Sequence, residues 1–415
     1  MEIAAYSTVA MTLGLVVTRP RITANLRVTP AIAAFLGVAV MAVLGLVGLE
    51  QFRYAAANLW SPFVAIAAIM VMTEVAQRVG LLSLWASWVD SRASSASQLF
   101  GLVFLLGVAT SVALNNDAAI LLLTPLVVAL IRRRYPDNPQ LIVPFAFAVF
   151  TSAGVAALPV SNPMNMVVAD FTGIGINTYA MHMIPVAISC WLIGFALLRW
   201  WFRAELSSAP EAAPTSARRA ATFAQRLMMI LLGAALVSYP IVGVLGGPVW
   251  AVPLCGAAIS LVLGLRHGAE NPVRVVYEGV SWEILLFLLA VLILSLGLAQ
   301  VGLVERLGSL YADGDLGTVG VTSALGSAVF NNHPMSHFNM LALEGTGASD
   351  VGVLAALVGG DLGPRLLPMG SLAGLLWFDL LRRQGVEISL ARFVKVGVVL
   401  TVPTLAVALG ILYVL

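Results

Sequence analysis

Long apolar stretches recur along the whole chain, separated by short polar or basic segments. Each is long enough to cross about 30 Å of hydrocarbon as a helix. The predicted crossings lie at about 3–18, 30–49, 58–78, 140–171, 182–203, 226–245, 248–266, 281–303, 350–381 and 391–414. This pattern predicts an all-α polytopic membrane protein with little structure outside the membrane.

Two further apolar regions, about 96–131 and 317–344, do not fit a single crossing. Each carries polar residues in its middle, at Asn115-Asn116-Asp117 and at Asn331-Asn332-His333-Pro334. We interpret both regions as re-entrant helical hairpins with their tips near the membrane centre. A chain turns at that depth only where protein or a water-filled cavity satisfies its backbone hydrogen bonds.

Two of the predicted crossings are themselves interrupted. The stretch at 140–171 contains Pro159-Val160-Ser161-Asn162-Pro163-Met164-Asn165, and the stretch at 350–381 contains Pro368-Met369-Gly370-Ser371. Proline cannot donate a backbone hydrogen bond, and asparagine and serine favour helix N-termini. We therefore predict that both crossings are broken helices.

The segment from Leu206 to Thr222 is rich in serine, proline and arginine. We interpret 204–225 as a linker between an N-terminal repeat at 1–203 and a C-terminal repeat at 226–415. Short sequences recur in the same order in both repeats, with offsets of 223, 216 and 209 residues. They pair Ala76–Leu81 with Ala299–Leu303, Ala113–Asn116 with Val329–Asn332, and Leu158–Ser161 with Leu367–Gly370.

Each repeat contains five predicted crossings and one hairpin. Because five is odd, the second repeat would be inverted relative to the first. Inverted-topology repeats with matched broken helices are typical of secondary transporters, whose binding sites lie at the breaks.

The composition supports this class of protein. Hydrophobic residues make up 60% and charged residues 10% of the chain, whereas soluble domains contain roughly a quarter charged residues. No motif indicates an enzyme, a bound cofactor, a metal site or a nucleic-acid partner. Cys190 and Cys255 lie far apart in apolar segments, and we interpret both as small core residues.

The basic residues test the predicted topology. Of the 22 lysines and arginines, 19 fall on the face that carries the linker, Arg53 and Arg306 fall on the opposite face, and Arg365 falls within the membrane. Basic residues favour the cytoplasmic side. The linker is therefore predicted to be cytoplasmic and both termini periplasmic, in a bacterial inner membrane.

Four polar interruptions are expected to meet near the membrane centre and to bind a small hydroxylated or anionic solute. Broken helices expose N–H and C=O groups there, so the site gains oriented dipoles with few charges. The alternative is that these residues only cap the broken helices. The candidate binding residues are Asn115, Asn116, Asp117, Ser161, Asn162, Asn165, Asn331, Asn332, His333 and Ser371.

Three runs of sequence resemble the arsenical pump membrane protein, the arsenite efflux permease of the ion transporter superfamily. They are Asn115-Asn116-Asp117 with the following Ala118–Pro125, Leu158–Phe171, and Asp361–Ala373, of which the third is the most specific. His333 and His337 depart from the resemblance, because mostly apolar residues are expected there in better-known members.

The resemblance implies export of trivalent arsenic and antimony, driven by the proton gradient, in some bacteria with a soluble ATPase on the cytoplasmic face. The residues suit such a cargo. Near neutral pH trivalent arsenic is mainly an uncharged trihydroxide, which asparagine, serine, aspartate and helix-end carbonyls can bind. Two cysteines cannot supply the three thiolates of a tighter site.

Charged residues within a membrane are costly and usually functional. Asp117, at the first hairpin tip, is the first candidate for proton coupling or substrate binding. Asp361 and Arg365 are four residues apart and are expected on one helical face, either as an ion pair that locks the helix or as a coupling pair. Other acidic residues are expected to be solvated or paired: Glu74, Asp170, Glu283, Glu344 and Asp379.

Two other functions stay open at this stage. A sodium-coupled carboxylate carrier or a sodium/proton carrier of the same fold could use the same asparagine and serine residues. An intramembrane metalloenzyme could use His333 and His337, which have the i, i+4 spacing of a metal pair, but Pro334 intervenes and no third ligand follows at motif spacing.

The partition of basic residues generates a topological prediction. A reporter fused after Arg219 is expected to be cytoplasmic, and a reporter fused to the C-terminus periplasmic. Alkaline phosphatase and green fluorescent protein fusions at the two positions measure this directly. Activity of both reporters on the same side of the membrane would contradict the inverted repeat.

Overall fold

The computed structural model describes residues 1–20, 28–210, 213–214, 219–266, 271–313 and 315–415. Within these ranges the chain is helical and contains no strand. The N-terminal half forms α1 (Glu2–Thr18), α2 (Pro30–Val43), α3 (Leu49–Arg78), α4 (Leu81–Arg92), α5 (Ala96–Ala113), α6 (Asn116–Arg134), α7 (Ile142–Ser152), α8 (Pro163–Thr172), α9 (Ile176–Trp201) and α10 (Arg203–Ser207).

The C-terminal half repeats this order of long, short and paired helices. Its helices are α11 (Phe223–Val244), α12 (Ala251–Arg266), α13 (Pro272–Gly279), α14 (Trp282–Ala299), α15 (Leu303–Tyr311), α16 (Leu316–Phe330), α17 (Asn332–Thr346), α18 (Asp350–Leu362), α19 (Leu372–Arg383) and α20 (Leu390–Val414). The succession α3 to α9 matches α14 to α20 element by element. This agrees with an internal repeat, whereas inversion of the second copy stays a prediction.

Six helices of the described chain are long and apolar enough to cross a membrane, namely α3, α5, α9, α11, α14 and α20. Shorter apolar helices include α1, α2, α12 and α16. Many of their large apolar side chains face outward, as they do in proteins surrounded by lipid. The prediction of an all-α polytopic membrane protein is confirmed.

Both predicted hairpins are present as antiparallel helix pairs. Helices α5 and α6 turn at Leu114–Asn115, and α16 and α17 turn at Asn331. Arg134, at the end of α6, forms an ion pair with Asp90 at 2.7 Å and donates to the Ala93 carbonyl, so the base of the first hairpin closes beside α4. Both tips are buried in protein rather than exposed beyond it.

The helices are interrupted in both regions predicted to be broken crossings. Helix α7 ends at Ser152, an irregular segment and a single 3₁₀ turn at Pro159–Ser161 follow, and α8 then continues the crossing. In the second half α18 ends at Leu362, two 3₁₀ turns follow, and α19 completes the crossing. In both cases proline lies in the 3₁₀ turn.

Contacts between helix ends fall into two groups, whereas the side of the membrane on which each group lies stays a prediction. In the first group, Arg78 bonds Glu278 at 2.6 Å and Trp88 Nε1 donates to the Arg219 carbonyl at 3.0 Å. The hydrogen bond from Arg274, followed by that from Arg78, lowers the pKa of Glu278. In the second group, Glu2 pairs with Arg306 at 2.5 Å. The linker predicted at 204–225 lies partly outside the described residues.

Small residues allow close helix packing between α16 and α18. A Cβ at Gly359 would overlap the carbonyl oxygen of Gly320, and a Cβ at Gly363 would overlap that of Ala324. Membrane helices lack a hydrophobic driving force for association, so close backbone approach is a main source of their stability. This contact attaches the second hairpin to the second broken helix.

Gly359→Ala is therefore expected to destabilise the protein by about 1–3 kcal/mol, the usual cost of overpacking a tight contact. Gly233→Ala on α11 is the matched control, because no atom lies within 4 Å of its Cβ position. Thermal denaturation of both variants in detergent, followed by loss of the monodisperse peak, measures the difference. Equal midpoints for the two variants would show that the α16–α18 contact is not limiting.

Candidate functional site

Each of the four interruptions ends in a capped helix N-terminus. The side-chain oxygen of the cap accepts a backbone N–H two or three residues later, which satisfies one of the free donors of the new helix. The caps, with their donor–acceptor distances, are Asn115 of α6 (2.6 Å), Asn162 of α8 (3.2 Å), Asn331 of α17 (3.3 Å) and Ser371 of α19 (2.9 Å). Four of the ten candidates thus act as caps, and two of these, Asn162 and Ser371, also line the cavity described next.

These four N-termini surround one cavity of about 40 Å³. Helix N-termini carry partial positive charge, so together they favour oxygen lone pairs. One water requires roughly 10–15 Å³ measured in this way, so the cavity admits a solute of a few heavy atoms. The lining includes six predicted binding residues, namely Asn116, Asp117, Asn162, Asn332, His333 and Ser371, and also Asp361 and Arg365.

A second, larger cavity of about 220 Å³, which we call the vestibule, lies on the side of the structure that carries Arg19 and Gly279. It is lined by Glu74, Gln77 and Glu283 and reaches inward to Asn115 and Asp117. Asp117 is the acidic residue common to both cavities. It lies in the first turn of α6, and the described residues give it no ion-pair partner.

Asp361 joins the two halves of the protein. Its Oδ2 accepts hydrogen bonds from the Ala156 N–H at 2.9 Å and from Asn165 Nδ2 at 3.1 Å, and its Oδ1 accepts one from Asn162 Nδ2 at 2.8 Å. Two donors are predicted site residues, and the third belongs to the interruption between α7 and α8. A carboxylate of the second half therefore fixes the first broken helix.

Of the two alternatives for Asp361 and Arg365, the ion pair that locks the helix is absent from the described residues, and the coupling role stays a prediction. Helix α18 ends at Leu362, and Pro364 places Arg365 in a 3₁₀ turn, so the two residues no longer share a helical face. Arg365 Nη2 instead donates to the Thr151 carbonyl at 2.9 Å, and the guanidinium packs against Gly154. In the described chain its Nε and Nη1 atoms are buried without a hydrogen-bond partner.

Four predicted binding residues lie behind the cavity wall rather than in it. Asn165 bonds Asp361, Asn331 Nδ2 donates to the Met369 carbonyl at 3.1 Å, and Ser161 is buried beside the break. Asn115 caps α6 and lines the vestibule. These residues hold the lining groups in place.

Sequence reasoning missed Tyr179. Its hydroxyl accepts a hydrogen bond from Asn165 Nδ2 at 2.8 Å and donates one to the Ala156 carbonyl at 3.1 Å. Tyr179 thereby links Asn165 of α8 to Ala156 in the preceding interruption, and both of these residues also bond Asp361. A single tyrosine within apolar α9 gives no sign of this role, since buried aromatic residues are ordinary core residues.

The other acidic residues, the two cysteines and metal binding are also subjects of prediction. Glu74 pairs with Arg78 at 2.6 Å, and Asp379 pairs with Arg383 at 2.6 Å, as expected for paired groups. Cys190 is buried as predicted, but Cys255 is exposed, so its interpretation as a core residue is wrong. The described residues contain no group of three histidine, cysteine or acidic side chains that could hold a metal ion.

Comparison with known proteins gives sequence matches over most of the chain. The sequence profile of the arsenical pump membrane protein matches residues 4–415. The chain belongs to the arsenical pump membrane protein family. The arsenical pump membrane protein of Escherichia coli K12 is 33% identical over 374 residues, covering 85% of this chain and 86% of the relative. That of Yersinia enterocolitica is 31% identical over 373 residues, with 85% and 86% coverage.

The fold of this family member resembles a solved membrane transporter. The crystal structure of the YdaH transporter of Alcanivorax borkumensis, described as having an unusual topology, superposes with a TM-score of 0.60. The match covers 99% of this chain and 96% of YdaH at 17% sequence identity. At that identity the likeness establishes the fold alone. The relatives are named as membrane pumps, which agrees with a multi-pass membrane protein.

The donors around Asp361 predict the effect of removing its charge. In Asp361→Asn one carboxylate oxygen becomes an NH₂ group facing N–H donors, so at least one buried donor loses its acceptor, at a cost of about 1–3 kcal/mol. Thermal denaturation should detect this loss. Asp170→Asn is the control, because Asp170 is exposed and accepts a hydrogen bond from Ser61 Oγ at 2.8 Å. Equal stability of the two variants would contradict the proposed role of Asp361 in joining the halves.

Proposed function

We propose that this protein exports arsenite and antimonite across the bacterial inner membrane in exchange for protons. Membership of the arsenical pump membrane protein family supports arsenic as the transported element. Export in exchange for protons is supported by the position of Asp117, which borders both the central cavity and the vestibule. One titratable group can therefore meet cargo on one side and solvent on the other.

The chemistry of the central cavity suits an uncharged trihydroxide. Its lining offers amide and hydroxyl groups from Asn116, Asn162, Asn332 and Ser371, with few charges. Such groups donate to and accept from hydroxyls without the strong coordination of thiolates. The cavity is also small, which favours a compact cargo over a dicarboxylate.

One observation favours the alternative that the protein transports a carboxylate. Arg365 lines the cavity and forms no ion pair with Asp361 among the described residues, and two of its guanidinium nitrogens have no hydrogen-bond partner there. Arginine binds carboxylates through paired hydrogen bonds. Counterflow of arsenite against succinate in liposomes containing purified protein separates these two cargoes.

The vestibule supports an inward-facing arrangement. It lies beside Arg19, Glu74 and Gly279, on the face where basic residues predict the cytoplasm. Arsenite would enter from this side and reach Asp117 first. The proposal places both termini in the periplasm and the protein in contact with lipid, and it does not depend on a soluble ATPase.

Coupling then follows from proton exchange at Asp117. A proton that arrives from the periplasm neutralises the carboxylate and weakens the hydrogen bond that it accepts from bound arsenite, so the cargo leaves outward. Loss of that proton to the vestibule restores the acceptor for the next cargo molecule.

Asp117→Asn keeps the size and most of the hydrogen bonding of the side chain but cannot titrate. It is expected to abolish arsenite accumulation driven by a pH gradient in inverted vesicles. Arsenite binding should persist within about tenfold, or roughly 1.4 kcal/mol. Transport of radiolabelled arsenite and equilibrium binding to the purified variant measure the two properties.

Asp379→Asn is the matched control, since Asp379 pairs with arginines at the end of α19 and lines neither cavity. It should accumulate arsenite as the parent does. Accumulation by Asp117→Asn in response to a pH gradient would exclude Asp117 as the coupling residue and leave Asp361 as the next candidate.

A further inference from the structure

His333 and Asp117 occupy matched positions in the two hairpins. Each follows a pair of asparagines at the hairpin tip, 216 residues apart, and each lines the central cavity. The two repeats therefore present different titratable side chains to one site. The first presents a carboxyl group and the second an imidazole.

The surroundings of His333 determine which ring nitrogen carries the proton. Asn331 Nδ2 donates to the Met369 carbonyl at 3.1 Å, which orients the amide so that its Oδ1 accepts the His333 backbone N–H at 3.3 Å. The same Oδ1 lies 3.4 Å from His333 Nδ1. An amide oxygen only accepts hydrogen bonds, so in the neutral imidazole Nδ1 carries the hydrogen and Nε2 presents a lone pair.

That lone pair has no partner within the described chain, although His333 is only 5% exposed. Phe287 packs edge-on against the ring, with centroids 6.0 Å apart, and restricts its rotation. The titratable and charged groups that share its surroundings are His337 on the same helix and, around the cavity, Asp117, Asp361 and Arg365.

Arg365, in contrast, has hydrogen-bond donors that lack acceptors among the residues described. Its Nε and Nη1 are buried donors without a partner in the described residues, while Nη2 is held by the Thr151 carbonyl. A buried polar group without a hydrogen bond costs about 1–3 kcal/mol. His333 and Arg365 both line the central cavity, so one ligand that both donates and accepts would satisfy the acceptor of one and the donors of the other.

We propose that His333 Nε2 accepts a hydrogen bond from a hydroxyl of the cargo while Arg365 donates to a cargo oxygen. His333 is then a specificity-determining residue. It selects uncharged polyhydroxides, such as the trihydroxides of trivalent arsenic and antimony, over anions of similar shape that carry no hydroxyl. This inference rests on the proposed function and identifies how the same site recognises its substrate.

The test compares His333→Leu with His337→Leu in purified protein in lipid nanodiscs. His337 is the matched control, because it lies one turn away, is 1% exposed and also has an unpartnered Nε2, but does not line the cavity. Arsenite binding is measured at neutral pH by equilibrium dialysis and elemental analysis. His333→Leu should weaken binding at least tenfold, and His337→Leu should leave it within twofold.

Two competitors test recognition of hydroxyls directly on the unmodified protein. Boric acid and nitrate both place three oxygens around one central atom, but only boric acid carries hydroxyl donors. Boric acid should displace arsenite at concentrations at which nitrate has no effect. Equal displacement by both compounds would overturn the proposed selectivity.

The outcomes separate this inference from the proposed function. No arsenite binding by the parent protein would refute the function itself, whereas equal binding by the parent and His333→Leu would refute only the role of His333. If His333→Leu does not fold, ¹⁵N-histidine spectra of the parent protein decide the matter. An imidazole Nε2 resonance that is absent from His333→Gln should move when arsenite saturates the site, and unchanged resonances would overturn the inference.

Discussion

A helix that ends inside a membrane protein must find partners for the backbone groups it leaves free, and the whole site depends on that constraint. Four helices begin at the centre of this fold, and Asn115, Asn162, Asn331 and Ser371 cap them. The same interruptions aim four partially positive helix ends at one point. A polar cavity therefore forms at the interruptions because the free backbone groups require polar partners there. This requirement holds whether or not a residue also binds cargo.

Two of the charged residues beside the cavity, Asp361 and Arg365, differ in how completely they are hydrogen-bonded. Asp361 is held by three donors from the other half of the protein, so its role is to fix the first broken helix against the second. Arg365 is anchored through one nitrogen and leaves two others open. Breaking the helix at Pro364 produces this difference, because it releases Arg365 from the face that carries Asp361.

The internal repeat places equivalent residues on opposite sides of the site. The two sides nevertheless differ in their contact with the vestibule. Asp117 and His333 stand at equivalent hairpin positions, yet only Asp117 also reaches the vestibule. The second hairpin packs closely on α18 through Gly359 and Gly363, which leaves its side of the cavity tightly filled. The contact between the central cavity and the vestibule thus lies at the carboxylate.

The sequence by itself determined the elements: the hairpins, the breaks and the caps. These features follow from local chemistry, since apolar length, proline and capping residues act within a few positions of the chain. The family was also evident from runs such as Asp361–Ala373. Only the tertiary structure decided which polar residues face the cavity and which support it. Asp361 finds its partners about 200 residues away, Tyr179 links segments that no motif connects, and Cys255 faces outward although its surroundings in sequence are apolar. The i, i+4 spacing of Asp361 and Arg365 misled because it assumes an unbroken helix, and a 3₁₀ turn rotates successive side chains by a different angle.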